Sequence, residues 1–191
     1  MVAFALFPLL IAAAAETAPG SRLAVIQEAA DLELTTHTGS SLRSADVKGK
    51  VLLVSFIFTT CNGSCPATTH RMAQVQEKLK SRGLGKKGEI HLLSLSLDPV
   101  RDTPEVLRNY MKLYDVDSAH WTFLTGSPER VRKTIAAWGM WAKPAPNGQL
   151  DHPSRIFLVD RKGRVREIYN LNFMKPDWVM EDIELLLKEA D

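Results

Sequence analysis

Residues 51–58 read Val-Leu-Leu-Val-Ser-Phe-Ile-Phe, apolar on both faces of an extended chain, which predicts a central strand buried on both sides of a sheet. A helix is predicted after it, opening near Pro66, carrying Met72, Val75, Gln76 and Leu79 at helical spacing and ending at Arg82-Gly83. The same alternation recurs twice. Residues 90–97 (IHLLSLSL) form a second strand, followed by a helix with Val106, Leu107, Tyr110, Met111 and Leu113, for which Thr103 is the N-cap and Pro104 the first-turn proline. Residues 121–124 form a third strand, and Ser127-Pro128 opens a helix with Val131, Ile135 and Trp138 on one face. The pattern then changes: residues 156–159 and 165–169 flank Asp160-Arg161-Lys162-Gly163 as a β-hairpin, and an amphipathic helix closes the chain over 176–189. Upstream, Leu32 and Leu34 alternate ahead of turns at 36–40 and 47–50, an N-terminal β extension.

This order predicts an α/β protein of thioredoxin-like fold, with a central mixed sheet flanked by helices and the β extension added at its N-terminus. Composition narrows the class further. Of 191 residues, 45% are hydrophobic and 24% charged, values that exclude a disordered tail, a collagen-like fibre and a disulfide-dense knot. A net charge of +2 without a clustered basic stripe gives no nucleic-acid partner. Residues 3–14 are almost wholly apolar and precede small residues at 15 and 18, so 1–18 is read as a signal peptide and 19–191 as one domain, exported and periplasmic. That run is shorter than the ~20 residues that span a bilayer, and Pro8 interrupts it. The protein is therefore expected to face a membrane without spanning it.

The chemistry centres on two cysteines, Cys61 and Cys65, placed between the first strand and the helix that follows. As a staple their disulfide would close a loop worth only about 2 kcal/mol, which a core of this size does not need. A helix N-terminus favours thiolate at both, and thiolate serves redox chemistry or metal ligation. The three intervening residues give two sulfurs more freedom to diverge around one ion than Cys-x-x-Cys allows. Two soft thiolates with an imidazole suit copper, whereas structural zinc takes four closed ligands. Of five histidines, His37, His70, His91 and His120 read as solvated or locally bonded. His152 precedes the strand at 154–159 beside the cysteine loop, where it is either a ligand or a partner of Asp151.

Three segments together resemble the Sco/SenC family of copper-binding, thioredoxin-like proteins that assemble the binuclear copper centre of cytochrome c oxidase. They are residues 56–66 (FIFTTCNGSCP), residues 96–104 (SLDPVRDTP), and Asp151-His152 ahead of residues 156–160. The resemblance covers about residues 30–188. It implies that Cys61, Cys65 and His152 bind copper, and that the partner is the copper-bearing subunit of cytochrome c oxidase or another copper carrier. A second reading keeps the cysteines as the redox-active pair of a thiol-disulfide oxidoreductase, for which Pro153 is the cis-proline that such enzymes place against their cysteines. A peroxidase of the peroxiredoxin type does not fit, since Phe58 and Val54 stand where its pattern needs Thr or Ser and Pro. Met140, between two tryptophans, is expected to pack rather than to ligate. Asp98 and Arg101 either contact a partner or fix their loop.

Overall fold

The computed structural model describes residues 23–189; the leader read over 1–18 lies outside them. The strands are β1 (Gln27–Glu28), β2 (Glu33–Thr36), β3 (Ser41–Arg43), β4 (Val51–Ile57), β5 (Ile90–Ser96), β6 (Trp121–Thr125), β7 (Lys143–Pro144), β8 (Leu150–Asp151), β9 (Arg155–Val159) and β10 (Arg164–Asn170). The helices are α1 (Ser64–Ser81), α2 (Pro104–Lys112), α3 (Pro128–Ala137) and α4 (Pro176–Lys188). Eight strands form one sheet in the order β1-β10-β9-β4-β5-β6-β2-β3. The pairs β4–β5 and β5–β6 are parallel, and β9 joins the other side of β4 antiparallel. All seven residues of β4 are buried, as its unbroken apolar run requires.

The N-terminal extension is divided between the two edges of this sheet. β2 pairs with β6 and folds back as a hairpin with β3, while β1 pairs with β10 at the opposite edge. His37, read as solvated or locally bonded, is buried and bonded: its Nδ1 accepts the Phe123 amide at 3.3 Å and its carbonyl accepts from Arg108 at 2.7 Å. It locks the extension onto β6.

The helix caps follow the sequence closely, since Thr103 Oγ1 accepts from the Val106 amide and Ser127 Oγ from the Arg130 amide. The exception is α1, which begins at Ser64 without a side-chain cap. Gly63 takes the N-cap position, and Pro66 falls in the first turn, where its missing N–H would have had no helical acceptor anyway. That start carries Cys65 inside the helix. The hairpin β9–β10 forms as expected, its turn closed by Asp160 Oδ1 accepting from the Lys162 and Arg164 amides and by Gly163 at φ +83°. One element the sequence pattern does not announce is the small ladder β7–β8, whose connection passes through Asn147 and Gly148 at positive φ. It stands directly before His152. No helix among the described residues is long and apolar enough to cross a membrane.

Candidate metal centre

Three elements converge at the C-terminal end of β4. The loop after β4 supplies Cys61, half-buried; the first turn of α1 supplies Cys65, 1% exposed; and the segment between β8 and β9 supplies His152, half-buried. Their ligating atoms all lie within 4.8 Å of one another, and this is the one such cluster of three or more His, Cys, Asp or Glu among the described residues. Both cysteines are free thiols. The other four histidines stay outside the cluster, as their sequence surroundings suggested; His91 Nε2, for example, meets Thr122 Oγ1 at 2.9 Å.

The imidazole is oriented for ligation. His152 Nδ1 sits 3.0 Å from the Pro153 carbonyl, which can only accept, so Nδ1 carries the proton and the Nε2 lone pair is directed at Cys65 Sγ, 3.6 Å away. Phe58 packs edge-on against the ring with centroids 5.7 Å apart, which leaves it little rotational freedom. Asp151, the alternative partner, makes no bond to the ring. The His152–Pro153 peptide is trans, so the cis-proline expected of an oxidoreductase is not found.

The helix N-terminus does not make Cys65 a ready thiolate as expected. Burial pushes its thiol up, and the neighbouring Cys61 adds to the effect, outweighing the stabilising Phe58 backbone contact. In a pocket without a cation this cysteine is a thiol; the two sulfurs are unequal, one anchored in a helix and one on a loop.

The loop bearing Cys61 is fixed from below by a side chain that sequence pattern did not single out. Asp102 is fully buried and accepts from the Thr59 amide, from Thr59 Oγ1 at 2.5 Å and from Ser96 Oγ at 2.6 Å. Burial holds its carboxyl above the usual range, against the opposing pull of those donors. Ser96 also accepts from the Asp98 amide, and Asp98 in turn holds Arg101, whose Nη2 donates to the Gly148 carbonyl at 2.8 Å. Asp98 and Arg101 thus serve the second of their two expected roles, fixing loops around the site. Met140 is buried in the hydrophobic core, as packing requires. Trp141 is exposed nearby in sequence, with Lys143 Nζ 5.0 Å from its ring centre.

Comparison with known proteins agrees with this geometry. The SCO1/SenC family model matches residues 23–188. A SCO1 protein homolog of Bacillus subtilis is 33% identical over 135 residues, 69% of this chain and 68% of that protein. The structure of Bradyrhizobium japonicum ScoI with copper bound superposes with a TM-score of 0.71 at 28% identity, covering 83% of this chain and 99% of the other. BsSco, described as having a disulfide switch and as a member of the Sco family of cytochrome c oxidase assembly proteins, gives a TM-score of 0.74 at 27% identity, over 87% of this chain and 97% of the other. A thioredoxin-like sheet, a Cys-x-x-x-Cys loop facing a histidine, and a family match over nearly the whole chain lead to one assignment: the protein belongs to the SCO1/SenC family.

Proposed function

We propose that this chain binds one copper ion through Cys61, Cys65 and His152, carries it as cargo and delivers it to the copper-bearing subunit of cytochrome c oxidase, or prepares that centre. The observation that carries the reading is the convergence of two thiols and one oriented imidazole within 4.8 Å. Two sulfurs and one nitrogen are a soft, incomplete donor set, suited to copper and one ligand short of a closed zinc site. The copper-bound ScoI of similar fold supports it. The apolar run at residues 3–14 supports export to the periplasm, where copper meets fewer competing thiols.

The asymmetry of the sulfurs gives the site a direction. Cys65 is the anchor, buried in α1, while Cys61 and His152 are half-buried and reachable by an acceptor's ligands. Transfer is a ligand exchange without change of oxidation state: an acceptor thiolate or imidazole bonds copper as Cys61 leaves it, and Cys65 leaves last.

A second reading, thiol-disulfide exchange with a partner through Cys61 and Cys65, is favoured by the two unpaired thiols facing each other and by the disulfide switch described for BsSco. Titration of the thiol-reduced protein with copper separates the two. Saturation near one equivalent, lost on oxidation, supports the carrier; turnover of a disulfide substrate without stoichiometric copper binding supports the oxidoreductase.

A further inference from the structure

Gln149 lies three residues ahead of His152 and reaches across to the cysteine loop. Its Nε2 donates to the Thr60 carbonyl at 3.1 Å, and its Oε1 accepts from the Asn62 amide at 3.2 Å. One side-chain amide therefore holds the peptide groups on both sides of Cys61. Only a glutamine does this here: asparagine is a methylene shorter, glutamate has no donor for Thr60, and methionine has neither function. The residue is itself held. Its carbonyl accepts from the Ala145 amide at 2.9 Å, its amide donates to Pro146 at 3.3 Å, and the carbonyl before it accepts from Arg101.

We infer that Gln149 is a positioning residue: by gripping both sides of Cys61 from the segment that carries His152, it fixes the distance between those two groups and keeps the cysteine pair open for metal rather than closed as a disulfide. The inference rests on the copper reading for its metal arm and stands without it for its thiol arm. Cys65 is set in a helix, so closing a disulfide to the roughly 2.05 Å sulfur separation falls to Cys61 and its loop. The clamp resists that movement. Its two bonds to the loop are exposed, so its removal leaves the fold in place.

The test compares wild type with Gln149→Met, similar in volume and without hydrogen-bonding groups. In the metal-free protein, equilibrated with glutathione and glutathione disulfide, the two thiols give two electrons and two protons to glutathione disulfide, forming one S–S bond and two glutathione molecules. Gln149→Met moves this equilibrium about tenfold toward the protein disulfide, roughly 30 mV for a two-electron couple. Hydrogen exchange at the Asn62 amide accelerates in Gln149→Met and stays slow in Gln149→Glu, which retains the acceptor. Copper affinity, measured by chelator competition, falls about tenfold in Gln149→Met, with a changed sulfur-to-copper charge-transfer band. A Gln149→Met protein with the wild-type glutathione equilibrium and wild-type Asn62 exchange overturns the inference, whatever its copper binding. A wild type that binds no copper, with the two metal-free shifts present, overturns the copper reading and supports the clamp.

Discussion

The two ends of the central sheet bury acidic side chains in opposite ways. At the end remote from the cysteines, Asp160 is met by cations: Arg164 Nε and Nη2 donate to it at 2.9 and 2.7 Å and Arg166 Nη1 at 2.9 Å, with Glu189 completing the pairing of Arg166. Burial alone would push the Asp160 carboxyl up, but the Arg164 and Arg166 bonds bring it below the ordinary carboxylate range. At the cysteine end Asp102 is buried as deeply and receives only hydroxyl and amide donors, while Cys65 beside it receives no cation at all from the described residues. Burial pushes both of those groups up. One end of the sheet supplies its own counter-charge, and the other buries its acidic groups without one. The proposed ligands thus lie at the end without built-in counter-charge, and the ion-paired acid at the other.

The largest expected effects fall on ligation. Cys61→Ser or Cys65→Ser weakens copper binding so far that none is retained on desalting, because a hydroxyl is a poor soft-metal ligand; titration followed by metal analysis after desalting checks it. His152→Ala follows, with copper affinity reduced at least a hundredfold by chelator competition while Cys61 and Cys65 still form their disulfide, since that bond needs only the sulfurs. A His152→Ala protein with wild-type affinity would remove the histidine from the site.

The remote end responds in stability instead. Asp160→Asn leaves Arg166 buried with one acidic partner fewer and lowers unfolding free energy by about 3 kcal/mol, with copper affinity unchanged. Denaturant melts at neutral pH measure the loss. The acid limb adds a check of sign: the Asp160 carboxyl is depressed in the folded state, so its contribution is present above the unfolded value near 3.9 and disappears as pH falls through the depressed value. Asp160→Asn flattens that limb.

The smallest effect belongs to His91, paired in register with Leu52 toward the same remote end. Burial, aided by the Lys50 and His120 charges, pulls it down to about 4. Between pH 6.5 and 4 the unfolded chain binds a proton the folded chain refuses, so stability present above 6.5 is lost as pH falls across that window. His91→Gln removes the slope there and leaves the Asp160 limb below it intact.

The sheet and most helix limits were legible because burial imposes a period: the run at 51–58 could only be a two-sided strand, and Thr103-Pro104 and Ser127-Pro128 could only start helices. The two cysteines were legible because few residue types bind soft metals and the chain has only two, whereas His152 was singled out among five histidines through the family resemblance. What supports them was not. Thr59 with Asp102 and Asn62 with Gln149 pair across 43 and 87 residues of chain, and a single polar side chain has no period to betray its partner. The inequality of the cysteines was hidden as well, since it depends on α1 starting at Ser64, two residues before the proline that marks it. Gly63 could have signalled that earlier start as a permissible N-cap.

X-ray absorption at the copper edge of the reduced, copper-loaded protein tests the site itself. The geometry of Cys61, Cys65 and His152 predicts two sulfur and one nitrogen neighbour, one sulfur in Cys61→Ser loaded under excess metal, and no imidazole scattering in His152→Ala. A copper shell without sulfur, or one unchanged by these substitutions, would contradict the assignment.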